Sequence, residues 1–248
     1  MEKQHKPGCD DHIEGSKSEK ILGLLTTKSV LKQKIFDNTF EIFNQLKEVL
    51  EEVAGEFGPT VSEIDRRVTV EYTSRGMFEA QLKVAGDILV FSMFTNAFEF
   101  DRNHTIWKNS FTKDNPQSTI SGMISIYNFL HDSFRYNHMS DLGYLIARIF
   151  VNKDLYYFVE GKQQMNNWVN NFGTAVISKE ILRDIVESAI LYTLNFDLLV
   201  PPYDSVKIIT LDQINSKINS ARFQTGKRLG FTFNSDDVSA HVKTESRH

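Results

Sequence analysis

The chain is short of cysteine, of long apolar runs, of excess positive charge and of every compact catalytic signature. Each shortage removes a class of protein. A single cysteine, Cys9, stands among 248 residues, so no disulfide can form within the chain and the composition fits a reducing compartment. No stretch approaches about 18 consecutive apolar residues, the length that reads as a transmembrane helix. The opening MEKQHKPGCDDHIEG has no apolar centre and does not read as a signal peptide. These shortages lead us to expect a soluble, cytoplasmic protein with no membrane partner. A net charge of −4 and a pI of about 6.0 lack the basic excess that marks a nucleic-acid binder. The phosphate-loop, dinucleotide, nucleophile-elbow and zinc-protease patterns are all missing. Thr225-Gly226-Lys227-Arg228 keeps half a phosphate loop, without its first glycine or a preceding strand. Cys9 has no helix start beside it to lower its pKa, so it does not read as a nucleophile.

What is present is an ordinary globular composition with a surplus of phenylalanine. Hydrophobic residues make up 41% and charged residues 24%. At this length folding buries roughly 70–75% of the chain's surface, enough for a core without metals or disulfides. The 19 phenylalanines, against 8 tyrosines and 2 tryptophans, favour strands and thick cores and fit an apolar ligand cavity. Residues 1–17 are polar, and their His5, Cys9, Asp10, Asp11 and His12 match no structural zinc spacing. They read as a disordered tail, as do residues 236–248. Residues 18–235 read as one α+β domain.

Within that domain, a helix is expected from about Ser18 to Phe57, with a break near Thr26–Thr27. Phe36, Phe40, Phe43, Leu46, Leu50, Val53 and Phe57 step by three or four, and Gly58-Pro59 stops the helix. Two alternating strands follow. A three-residue loop, Ser74-Arg75-Gly76, with Gly76 in the left-handed region, pairs Val70 with Ala80, Tyr72 with Phe78 and Val68 with Leu82. Gly86-Asp87 turns into a third strand, Ile88–Phe100, apolar on both faces and therefore central. A polar loop runs from Asp101 to Ser118.

Residues 119–136 fit both periods: Ile120, Met123, Ile124, Tyr127, Leu130 and Phe134 step as a helix, while Ile124-Ser125-Ile126-Tyr127 alternates as a strand. We take the helix, which would cover the sheet after the third strand. Leu142–Val151 and Leu155–Glu160 form a hairpin around Asn152-Lys153-Asp154. Both its faces are apolar, implying central burial or a subunit contact. Ser178 caps a helix reaching about Phe196, with Ile181, Leu182, Ile185, Ala189, Tyr192 and Leu194 inward. After Pro201-Pro202, Val206–Ile209 reads as a short strand and Thr210 to Gln213 as the capping box of a final helix. The expected fold is thus α+β: an antiparallel meander with a long N-terminal helix, a covering helix and C-terminal helices.

Two groups of residues carry candidate chemistry. The hairpin register sets Glu71 across from Glu79, on one face with Thr69, Gln81 and Lys83. Opposed carboxylates repel unless solvent, counter-charges or a cation screens them. Beside a Gln-Leu-Lys strand they resemble the site of metal-dependent nucleases of the restriction-endonuclease type. That resemblance implies Mg²⁺ on Glu71, Glu79 and Gln81, with Lys83 orienting or activating water. The Pro-Asp pair usual in such enzymes is missing, and Arg67 and Lys83 can screen the carboxylates unaided. The second group is the run from Asn128 to Asp141, with His131, Asp132, Arg135 and His138. It reads either as a polar helix end or as a ligand-contacting loop beside residues 101–115, where Trp107 would stack on a planar ligand. The expected function is a non-catalytic binding or assembly module, without a cofactor, for a protein partner or small ligand. Its hairpin at 144–158 offers a contact for a second copy. The alternative is a Mg²⁺-dependent nuclease or other phosphodiesterase, with nucleic acid as substrate.

Overall fold

The computed structural model describes residues 16–137, 139, 141–161, 172–195, 208, 210 and 211. The expectations placed on the N-terminal tail through residue 15, on His138, on the strand and helix after Pro202, and on the C-terminal tail rest on residues outside that set.

The N-terminal helix begins at a capping box. The Ser16 hydroxyl accepts a hydrogen bond from Glu19 N, and the Glu19 carboxylate accepts one from Ser16 N at 2.8 Å, closing the first turn of α1 (Lys17–Leu24). The expected break near Thr26–Thr27 is a π turn, Leu25–Ser29. There Thr26 Oγ1 donates to Leu22 O at 2.9 Å and Thr27 Oγ1 to Gly23 O at 2.7 Å. Hydroxyls that bond to carbonyls of the preceding turn compete with the α ladder and loosen it. From there α2 runs unbroken from Val30 to Ile64.

Gly58-Pro59 therefore does not stop the helix. Proline takes the N–H from the Gly55 carbonyl, but both Gly55 and Pro59 are exposed, so water can replace that bond. Gly58 has a different duty. A Cβ there would lie 2.9 Å from Val70 O, so the glycine lets the first strand cross the helix closely.

Among the described residues seven strands form one antiparallel sheet: β1 (Val70–Ser74), β2 (Glu79–Val84), β3 (Asp87–Met93), β4 (Phe98–Glu99), β5 (Ile120–Leu130), β6 (Tyr144–Asn152) and β7 (Tyr157–Gly161). Their order is β1-β2-β3-β5-β6-β7, with β4 pairing β5 beyond the end of β3. The expected third strand thus stops at Met93 and resumes briefly at Phe98. One face carries Leu82, Phe91, Ile124, Ile149 and Val159 against Phe43, Leu46 and Leu50 of α2 and Leu182, Ile185 and Val186 of α5 (Lys179–Leu194). Each fully buried side chain of this kind contributes about 1.5–3 kcal/mol. Ser178 caps α5 as expected, its hydroxyl accepting from Ile181 N at 3.4 Å. Leu194, expected inward, is exposed in the last turn. Lys179 bonds Glu52 at 2.8 Å and Arg183 bonds Glu56 at 2.5 Å, sealing the exposed seam between α5 and α2.

Residues 119–136, expected as a covering helix, instead form the central strand β5 over Ile120–Leu130, and only His131–Arg135 is helical (α4). Most of β5 is buried on both faces. Such a strand shows no polar face, so apolar residues also fall at helical spacing. Gly122 was the discriminating residue. A Cβ on it would sit 2.0 Å from Thr39 Oγ1, so α2 rests directly on the strand there.

The hairpin register is also corrected. Gly76 has the expected positive φ, 99°, but the loop takes in residues 75–78 and closes with Arg75 N donating to Glu79 O at 3.0 Å. Val70 therefore pairs with Val84, Tyr72 with Leu82, and Glu71 with Lys83. The reason is Phe78, which leaves the strand pairing to pack edge-on against Phe36 and Phe40 of α2. Lys47 Nζ ties the loop down by donating to Gly76 O at 2.7 Å. Every partner moves four residues, and an even shift keeps each side chain on its expected face.

The 144–158 hairpin is apolar on both sides because it is sandwiched. Its second face carries a smaller core of Ile106, Met123, Phe150, Phe158 and Phe172. The 3-10 turn Thr105–Lys108 and the short helix α3 (Ser110–Asp114) supply part of that cover.

Candidate functional site

The corrected register brings the two sequence candidates to one corner of the sheet. Glu71 on β1 faces Lys83 on β2, with Oε2 3.8 Å from Nζ. At the same corner the β2–β3 turn passes through Ala85, at φ 52°. Gly86 O accepts a 2.8 Å bond from His131 N, which pins the start of α4 beside that turn. His131 is consequently held below the ordinary histidine pKa. Its burial is the main cause, the Lys83 ammonium adds to it, and Arg135 adds a little more. Asp132 and Glu71 pull the other way. The Arg135 guanidinium lies over the Tyr136 ring at 5.4 Å.

Chemically, this corner presents a neutral imidazole between cationic and anionic side chains. Its nearest carboxylate, Asp132 Oδ1, is 3.9 Å from Nδ1, too far for the hydrogen bond that orients a general base. Glu79 is not part of the corner. It lies four residues along β2 from Lys83, roughly 13 Å at the strand rise, and its Oε1 accepts from Gln81 Nε2 at 3.0 Å. The opposed carboxylates from which a shared cation was drawn are thus not opposed. Among the described residues, no group of three or more His, Cys, Asp or Glu is placed to hold a metal.

Trp107 does not join His131 and Arg135. Its Nε1 donates to Phe100 O at 3.3 Å, its ring lies under the Arg102 guanidinium at 4.2 Å, and it packs on the smaller core beside Met123. His131 follows Met123 by eight residues of extended chain, roughly 26 Å. The single ligand loop expected from these residues is therefore two separate places.

Two features escaped the sequence. The first is an open cavity of about 360 Å³ between α2 and the β3–β4 loop, lined by Lys32, Gln33, Phe36, Thr95, Asn96 and Ala97 among others. Phe94 and Phe98, which flank the loop on the sheet face away from α2, are 40% and 38% exposed and meet edge to face at 5.8 Å. Thr95-Asn96, two turn-forming residues inside an apolar run, were the signal. The second is Asn128 on β5, fully buried with neither its amide nitrogen nor its oxygen hydrogen-bonded. No family model matches the chain, and neither a curated protein nor a solved structure matches it significantly.

Proposed function

We propose that the chain is a binding or assembly module whose docking point is the cavity between α2 and the β3–β4 loop. One observation carries the reading: an open cavity of about 360 Å³ is walled by Phe36 and its neighbours on α2 and by Thr95, Asn96 and Ala97 of the loop. A concave surface with an aromatic wall and a few polar groups is what a partner's buried anchor requires. The cavity wall adds Lys32 and Gln33 from α2 and Asn96 from the loop, polar groups that can fix the orientation of whatever enters. A volume of about 360 Å³ sits at the small end of ligand pockets, so it suits one side chain or a compact ligand. The corner at His131 lies apart from this cavity, and we assign it no separate role.

The test is site-directed photocrosslinking in native cells. A photoreactive p-benzoylphenylalanine placed at Asn96, in the cavity wall, should give one discrete covalent adduct. The same group at Glu51, exposed on the far stretch of α2, should not. Equal, diffuse labelling at both positions would refute the reading.

A further inference from the structure

Every residue from 16 to 30 is exposed, and the first buried residue of the helix is Ile35. The helix therefore extends beyond its last core contact by roughly 28 Å at 1.5 Å per residue. This extension is not polar. Ile21, Leu22, Leu24, Leu25 and Val30 are 55–62% exposed. At 100° per residue, Leu24, Ile21, Leu25 and Leu22 fall within an arc of roughly 160°, with Ser16, Glu19, Gly23 and Thr27 opposite. Lys20 lies on the margin of the arc and Lys17 at its N-terminal end.

The charge of this stretch runs against the rest of the molecule. Residues 16–34 hold five lysines, Lys17, Lys20, Lys28, Lys32 and Lys34, and one acidic residue, Glu19. The chain as a whole has a net charge of −4. A second copy docked along the same stripe would set these lysines against each other, so the complementary surface is anionic. A broad apolar arc bordered by lysines, on a helix of modest overall hydrophobicity, suits a planar interface. There the apolar side chains enter the acyl boundary and the ammonium groups stay among the headgroups. Among the described residues no helix is long and apolar enough to cross a membrane, and the proposed contact lies in the plane of the interface.

We propose that the Lys17–Val30 extension is a membrane-surface anchor that docks the protein on bilayers bearing anionic headgroups. It does not rest on binding at the cavity between α2 and the β3–β4 loop, and either reading can fail without the other. The experiment is sedimentation of the full chain with phosphatidylcholine vesicles, with and without about 30% phosphatidylserine. Partitioning should rise at least about tenfold with the anionic lipid, because lysines near such a surface each add several-fold to binding. Raising the salt should reverse part of that gain. Leu22→Asp combined with Leu25→Asp should abolish binding, and Lys17→Glu with Lys20→Glu should remove the preference for phosphatidylserine. Both variants should keep the wild-type melting temperature, since these side chains touch no core. Equal binding to both vesicles would overturn the proposal, as would binding that survives the aspartates. Failure to bind either vesicle, with sedimentation velocity showing an oligomer that the aspartates dissociate, would assign the stripe to a second copy instead.

Discussion

Gly122→Ala tests the contact on which the two layers depend. A Cβ at this position would lie 2.0 Å from Thr39 Oγ1, 2.8 Å from Thr39 Cβ and 2.9 Å from Cγ2. Rotating the threonine moves the last of these but not its Cβ, and the hydroxyl is held by a 2.7 Å bond to Ile35 O. Helix α2 must then retreat by about 0.7 Å or more to restore ordinary carbon–carbon contact. Overpacking of this kind costs about 1–3 kcal/mol. Replacing a strand glycine by alanine returns about 0.5–1 kcal/mol of backbone entropy. Retreat also thins the packing of Phe43 and Leu46, so we expect a net loss of about 2 kcal/mol. Urea unfolding followed by circular dichroism should show a midpoint lowered by about 0.7–1 M with an unchanged slope. Thr39→Ala removes two of the three clashing atoms. The double variant should therefore be more stable than the sum of the singles by at least about 0.5–1 kcal/mol. A Gly122→Ala protein within about 0.5 kcal/mol of wild type, or one that Thr39→Ala does not rescue, would show that the helix does not rest on β5 here.

Three further outcomes follow from named contacts. Gly58→Ala should be neutral or destabilising, although alanine normally gains about 1 kcal/mol inside a helix, because its Cβ would meet the Val70 carbonyl at 2.9 Å; a full gain in the urea midpoint would refute the close crossing. His131, with a folded pKa below its unfolded value of about 6.5, contributes nothing to pH dependence well above that value. Below it the unfolded chain binds more protons, so stability falls with pH until the lowered folded pKa is passed. His131→Gln should flatten the decline in urea midpoint between about pH 7 and pH 5, and parallel curves would count against it. Asn128→Leu should raise stability by about 1–2 kcal/mol, since a buried amide without partners costs that much; a fall in melting temperature would mean that the amide is satisfied by something bound.

Local signals in the sequence proved sound where one physical demand acted alone. Ser178 had a single function, capping, and α5 begins after it. The hydroxyls of Thr26 and Thr27 loosened the helix where expected. Gly76 took the left-handed turn. The errors arose where tertiary packing set the outcome. Phe78 could pair with Tyr72 or fill the space beside Phe36 and Phe40, and only the second buries its ring under a helix. β5 is buried on both faces, so its periodicity was empty of information, and the deciding clash between Gly122 and Thr39 joins residues 83 positions apart. The His131 corner was half legible. Both of its halves were singled out from residue type, but their meeting depended on the register that Phe78 altered.

The π turn at Leu25–Ser29 works as a phase shifter between two stretches of one helix. With α geometry throughout, Ile21 would point within roughly 40° of the direction of Ile35, which faces the core. One extra residue absorbed in the wider turn swings it to roughly 140°. The same sequence of apolar residues is thereby addressed to a different compartment of space: inward below the turn, outward above it. Deleting one residue between 25 and 29 would let the turn close into α geometry with the stripe still facing outward, because the wide turn had absorbed the residue removed. Orientation in this helix is thus set by the width of one turn: tightening it to α geometry at unchanged residue count would swing the stripe back by about 100°.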